Sequence, residues 1–280
     1  MAFDVHQAVT DRLITTLEAG EAGAWSCPWH RTGGGVPRNA TTGKAYRGIN
    51  ILSLWVGAQA PGYTDDRWAT YRQWADIGAQ VRKGERSTLV VFFRELPAGE
   101  GDGDDRRRFV ARASYAFNAA QVDGAPALPA EPAPSCWSLP EVFDRFVSET
   151  GAEIRHEGEA AFYQPATDRI VMPPRERFHT AHGYASTMAH ELTHWTGAPG
   201  RLARDLSGRF RSQAYAAEEL VAELGSAFLM AELGLAAEPH PNHASYVGSW
   251  LKLLRSDPKA IFTAAAAASR AAQFLTGTSG

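Results

Sequence analysis

With 280 residues and a formal net charge of −3, the chain is too close to neutral for a uniformly basic nucleic-acid coat, and its 44% hydrophobic content suffices for one large or two modest cores. No stretch approaches the roughly eighteen apolar residues of a membrane span, and the N-terminus lacks the basic and apolar regions of a secretory signal. Cys27 and Cys136 are the only cysteines and have no metal-ligand spacing, so a reducing, cytoplasmic setting is expected. The mean charge hides an asymmetry: residues 20–94 hold ten Lys/Arg against five Asp/Glu, while 126–280 hold thirteen against seventeen.

Phe3, Val9, Leu13 and Leu17 recur at helical spacing behind Asp4, a suitable N-cap, and Gly20 and Gly23 end that helix. Turn-rich chain follows, from Trp25-Ser-Cys-Pro-Trp29 through glycines at 33–35 to Pro37-Arg-Asn-Ala-Thr-Thr-Gly-Lys-Ala-Tyr-Arg-Gly48. Residues 49–56 and 68–78 read as short helices, the second stopped at Gly78. The charged turn 82–86 leads into 88–93, a buried-strand pattern, and 109–118 is a second strand. The acidic, glycine-rich 98–107 forms the loop between them.

Five tryptophans (25, 29, 55, 68 and 74) are interleaved with Arg31, Arg38, Lys44, Arg47, Arg67 and Arg72. Exposed rings stack on unpaired bases and cations hold phosphates, which suits single-stranded DNA. The candidate contacts are Trp25, Trp29, Arg38, Asn39, Lys44, Tyr46, Arg47, Arg82 and Lys83, although several tryptophans belong to the core whatever the function.

Four prolines within 124–136 resist regular structure. They divide the chain into an N-terminal domain, 1–123, a linker, 124–136, and a C-terminal domain, 137–280. A helix is expected over 139–149. Residues 161–163 and 169–172 flank Gln164-Pro-Ala-Thr-Asp168 as a hairpin, whose strand can lie beside a catalytic helix and pair with an extended peptide.

The next helix carries His190-Glu-Leu-Thr-His194. Positions four apart share a face, so both imidazoles can reach one ion. Glu191, beside the first histidine, is placed to take a proton from an attacking water and deliver it later. Tyr184, Met188, Leu192 and Trp195 make a core stripe on the opposite face. A solvated surface helix would carry the same residues, so a third ligand decides. The helix over 213–233 supplies it, in Ala217-Glu-Glu-Leu-Val-Ala-Glu-Leu-Gly225. Leu220, Leu224, Ala227 and Phe228 form its core stripe, while Glu219 and Glu223 share another edge. That arrangement resembles zincins in which a glutamate on a second helix is the third ligand and an acidic residue four positions on orients a histidine. Glu219 is therefore the expected ligand and Glu223 its supporting residue, with Glu218 an alternative to Glu219. Two imidazoles, one carboxylate and an open position suit a single Zn2+. His179 and His182 read as structural or surface residues. Tyr163, Tyr184 and Tyr246 read as packing, with oxyanion stabilisation the rarer role. Helices over 243–256 and 258–275 finish the chain.

Residues 25–93, with Pro-Trp, Thr-Gly-x-x-Tyr-Arg-Gly-Ile-Asn, Trp-x-Thr-Tyr-x-Gln and Val-Arg-Lys-Gly-Glu-Arg, resemble the N-terminal domain of ArdC-type antirestriction proteins. Asp-Arg-Ile-Val-Met-Pro, His-Glu-Leu-Thr-His-Trp-Thr-Gly and Tyr-Ala-Ala-Glu-Glu-Leu-Val-Ala-Glu-Leu-Gly resemble the family's zincin-like metallopeptidase domain. The resemblance implies an α+β protein of two domains: an α+β module for single-stranded DNA, and a mainly helical metallopeptidase domain with a small β-hairpin or sheet. It further implies a plasmid- or phage-borne protein that shields incoming DNA from host restriction; that the metal domain cleaves a host restriction enzyme or another protein is a separate expectation, which the resemblance does not supply. Two rivals stand beside it: an intracellular metallopeptidase whose front domain recognises a protein, and a non-catalytic DNA-binding protein with a structural metal.

Overall fold

A computed structural model of the chain describes residues 4–19, 29, 35–95, 109–127, 139–206, 212–238 and 243–277. Trp25, the 98–107 loop and most of the 124–136 linker lie outside the described residues.

Helix α1 (Val5–Ala19) begins where Asp4 Oδ1 accepts the backbone N–H of His6 and Gln7, and it buries Val5, Val9, Leu13 and Leu17. The front half is built on strands β1 (Arg38–Asn39), β2 (Arg67–Ala69), β4 (Thr88–Glu95) and β5 (Phe109–Asn118), in sheet order β1-β2-β5-β4. Helix α2 (Ile49–Gln59) closes the outer edge of β4. There Asn50 Oδ1 accepts the Val91 N–H at 2.7 Å and Asn50 Nδ2 donates to the Val91 carbonyl at 2.8 Å, replacing a missing strand neighbour. The expected helix over 68–78 is shorter than its spacing suggested. Trp68 and Ala69 belong to β2, paired with Asn118 and Phe117, and a capping box between Thr70 and Gln73 starts α3 (Tyr71–Asp76) only after them. Strands β3 (Gln80–Val81) and β6 (Val122–Asp123) form a small antiparallel pair beside α3.

The back half contains α4 (Leu139–Thr150), then β7 (Glu153–His156), β8 (Phe162–Gln164) and β9 (Arg169–Met172) in sheet order β7-β9-β8. Strand β7, parallel to β9, was not expected from the sequence: Glu-Ile-Arg-His offers a single apolar residue and so no alternation. Helices α5 (Ala181–Trp195), α6 (Gln213–Glu232), α7 (His243–Ser256) and α8 (Ala260–Thr276) complete the chain.

The two halves share one hydrophobic core that runs from Val5 in α1 to Ala272 in α8. Trp55 of α2 meets Phe228 of α6 edge-on at 5.6 Å, and Trp29 packs on Trp250 at 6.0 Å. Polar contacts cross the same boundary: the Gly48 N–H donates to Ser269 Oγ at 2.8 Å, and Thr10 Oγ1 to the Pro258 carbonyl at 2.7 Å. Gly48 has φ 54°, and a Cβ there would lie 3.7 Å from the Ala266 backbone, so a glycine suits both the turn and its approach to α8. The architecture is α+β, with two domains built onto a common core.

Candidate metal centre

Each helix of the site starts on a side-chain cap: Thr180 Oγ1 accepts the Gly183 N–H, and Ser212 Oγ accepts the Tyr215 N–H. Helices α5 and α6 approach very closely at Thr193 and Gly225, where a Cβ on residue 225 would fall 2.4 Å from Thr193 Cγ2. Ser226 Oγ donates to the Ser186 carbonyl at 2.8 Å and pins the pair further along. The apolar stripes predicted for both helices are buried, from Tyr184 to Trp195 and from Leu220 to Phe228.

Between the helices, His190, His194 and Glu219 each offer one ligand atom, and these atoms lie within 4.8 Å of one another. His190 Nε2 is 3.5 Å from Glu219 Oε2, and His194 Nε2 is 3.7 Å from Glu219 Oε1, so the carboxylate spans both rings. Glu223 Oε2 stands 3.6 Å from His190 Nδ1. Glu218 does not join the ligand atoms; its Oε1 lies 3.2 Å from His194 Nδ1.

The surroundings fit a cation. Glu191, Glu219 and Glu223 are 3%, 7% and 3% exposed, and carboxylates this deep require a positive partner. Burial would lower the His190 pKa, but Glu219, Glu223 and Glu191 together raise it to about 10. Burial would raise the Glu219 pKa, but His190 and His194 bring it below the usual carboxylate value. The carboxylates thus favour positive charge on the imidazoles between them, a demand that a divalent ion also meets.

The trio lies in a cleft of about 430 Å³ whose lining also includes Glu191, Tyr215, Tyr246, Ala161, Phe162, Tyr163 and Pro165. Tyr215 and Tyr246 join hydroxyls at 3.0 Å. Burial, Tyr246 and Glu219 raise the Tyr215 pKa, so its proton is kept at neutral pH. The sequence reading missed Tyr215, although it stands four residues before Glu219 and so on the same helix face. Tyr163 and Tyr246 do line the cleft. Tyr184 does not: its hydroxyl meets His156 Nε2 at 2.9 Å, and it lines a separate pocket with Phe143, Arg175 and Phe178. His179 is exposed and His182 half-buried, both outside the trio.

The expected DNA contacts divide by exposure. Trp29 is 1% exposed against Trp250 and Tyr46 is 8% exposed, so neither ring offers a face to a base; both are corrected to core residues. Spacing alone could not separate them from surface aromatics. Asn39 holds its own loop: its Oδ1 accepts the Thr41 and Thr42 N–H groups, and its Nδ2 donates to Gln73. Arg38, Lys44 and Arg47 are exposed around that loop. Arg82 and Lys83 are exposed as well, with Arg82 paired to Glu85 at 3.0 Å and Asp123 at 3.5 Å. The large exposed rings lie elsewhere, with Tyr71, Phe93 and Tyr115 at 52%, 55% and 52%.

Comparison with known proteins follows the same division. Residues 3–117 match the N-terminal domain of anti-restriction factor ArdC, and residues 141–267 match a zincin-like metallopeptidase. The chain is 46% identical to the uncharacterized protein y4eC of Sinorhizobium fredii, over 97% of this chain and 91% of that protein. It is 42% identical to a DNA primase TraC of Escherichia coli, over 96% of this chain but only 27% of the primase. Crystal structures of the antirestriction protein ArdC from plasmid R388, metal-free and Mn(II)-bound, superpose with a TM-score of 0.81 at 40% identity and cover 98% of this chain. The metal-free structure is itself covered over 97% of its length. Among the described residues, no helix is long and apolar enough to cross a membrane. The chain belongs to the ArdC-type antirestriction proteins, joining an ArdC N-terminal domain to a zincin-like metallopeptidase domain.

Proposed function

We propose that this protein, carried by a mobile element such as a plasmid or phage, binds single-stranded DNA as it enters a recipient cell, protects it from host restriction in the cytoplasm, and holds a zinc-dependent peptidase centre. The single observation that carries the metal part is the convergence of His190, His194 and Glu219 within 4.8 Å. Their two nitrogens and one oxygen suit one Zn2+ with a position left open to the cleft. Zinc, when bound, polarises a carbonyl and lowers the pKa of an attacking water. Glu191, on the cleft wall, is the general base that takes the water's proton and returns it to the departing amine. Tyr215 and Tyr246 offer hydroxyl donors to a carbonyl oxygen as it gains charge. Strand β8 ends its sheet, and Phe162 and Tyr163 line the cleft, so an extended peptide can add to it as a further strand.

The DNA reading is supported by the ArdC N-terminal match and by the exposed cations Arg38, Lys44, Arg47, Arg82 and Lys83. The stacking role passes from Trp29 and Tyr46 to rings that are open to solvent, Tyr71, Phe93 and Tyr115. The test compares single- and double-stranded oligonucleotides at two salt concentrations, with wild type and Glu191→Gln. Salt-dependent preference for the single strand in both proteins is expected. No binding in either, with peptide cleavage by wild type, would make a metallopeptidase with a protein-recognising front half the better reading.

A further inference from the structure

Two adjacent glutamates grip opposite nitrogens of one imidazole. Glu219 Oε1 lies 3.7 Å from His194 Nε2, and Glu218 Oε1 lies 3.2 Å from His194 Nδ1. Glu218 is in turn held by Arg204, whose Nη2 donates to Oε1 at 2.9 Å and whose Nε donates to Oε2 at 3.1 Å. The same guanidinium reaches back to the metal helix and its end. Its Nη2 donates to the Thr193 carbonyl at 2.6 Å and its Nη1 to Thr196 Oγ1 at 2.8 Å. The Arg204 and Glu218 side chains are only 11% and 12% exposed, so little water competes for these bonds.

We propose that Arg204 and Glu218 are positioning residues for the metal centre: the clamp fixes the His194 ring with Nε2 turned towards Glu219, and thereby sets the affinity for the divalent ion. The proposal rests on reading His190, His194 and Glu219 as the ligands. The terminal torsion of a histidine is soft, and either ring nitrogen can face an ion. A carboxylate on Nδ1 keeps the hydrogen there and leaves the Nε2 lone pair for the metal. Glu218 alone would add a further buried negative charge beside Glu219; Arg204 neutralises it and fixes both carboxylate oxygens at once. Lysine has no such fork and could not hold Glu218, Thr193 and Thr196 together.

The connection after α5 is shaped around this guanidinium. The Arg204 N–H donates to the Gly197 carbonyl at 2.9 Å. A Cβ on residue 197 would lie 3.0 Å from Arg204 Nη2 and 2.9 Å from Leu206 Cδ2, so glycine leaves the side chain its path. The same connection supplies an internal control. Arg201, 13% exposed, stacks 3.8 Å over Trp195, donates to the Trp195 carbonyl at 2.6 Å and pairs with Asp168. None of its described bonds reaches His190, His194 or Glu218.

The experiment titrates the full metal-free chain with Zn2+ against a chromophoric chelator, for wild type, R204Q, R204K, E218Q, R201Q and H194A, and records the Tm of each metal-free protein. R204Q is expected to weaken zinc binding about 10–100-fold, the range for orienting partners of metal ligands. R204K should fail to restore it, E218Q should weaken it in the same direction, and R201Q should stay within about threefold of wild type. E218Q is nearly isosteric and carries the test if R204Q does not fold. Wild-type affinity in both R204Q and E218Q overturns the proposal, as does an equal loss in R201Q at matched Tm, which would mark general support of the connection. H194A binding zinc like wild type would instead overturn the ligand assignment itself.

Discussion

The candidate metal site between α5 and α6 and the loop 38–47 use polar residues in opposite ways. In the metal site the charged groups are buried, and they hold one another: Glu219 spans both histidines, Glu223 stands behind His190, and Glu218 with Arg204 stands behind His194. In the loop the bonded groups are internal, with Asn39 tying Thr41, Thr42 and Gln73 together, while Arg38, Lys44 and Arg47 are left to solvent. A site that fixes one small ion needs every ligand's orientation set in advance. A surface that follows a polyanion needs only a firm platform and positive charge.

Substitutions separate the two regions. Glu191→Gln should lower peptide cleavage by about 10²–10⁴-fold while zinc content stays near one ion per chain, because a general base contributes to rate and not to metal affinity. Cleavage by this variant at the wild-type rate, checked with a quenched fluorescent peptide library, would remove Glu191 from that role. Trp29→Ala should cost about 3–5 kcal/mol in denaturant unfolding, as expected for deleting a fully buried ring, and leave the DNA affinity of the folded protein intact. A selective loss of DNA affinity would return Trp29 to the binding surface. Replacing Arg38, Lys44 and Arg47 together by glutamine should flatten the salt dependence of single-strand binding by about 2 in log–log slope, from about 0.7 per neutralised phosphate. An unchanged slope would take the loop out of the DNA path. Gly225→Ala should destabilise by about 1–3 kcal/mol through overpacking on Thr193, and weaken zinc binding by pushing α6 away from α5. Unaltered zinc affinity with lowered stability would show that the helix spacing tolerates adjustment.

The convergence of the candidate ligands was legible in the sequence because helical periodicity sets directions. His190 and His194 share a face at a spacing of four, Glu219 and Glu223 repeat that spacing on α6, and Tyr215 obeys it too, though its chemistry carried no motif. Glu218 was harder to place, since it neighbours the candidate ligand in sequence and points about 100° around the helix. Its partner is the second nitrogen of a ring, which no spacing encodes. In the front half Trp29, Tyr46 and Trp68 sit in short strands and turns, where no long period separates inside from outside. Trp68 therefore read as helical, and Trp29 and Tyr46 as surface. The shared core was illegible for a related reason: the partners of Trp29 and Trp55 are Trp250 and Phe228, some two hundred residues away in the chain.

On the reading proposed above, the buried metal-binding cluster and the exposed cations serve separate tasks on one core. The most direct test measures zinc content and single-stranded DNA affinity on the same preparations of wild type and Glu219→Ala. Glu219→Ala is expected to lose its zinc and to bind DNA with wild-type affinity and salt slope. DNA affinity that falls together with the zinc would contradict it.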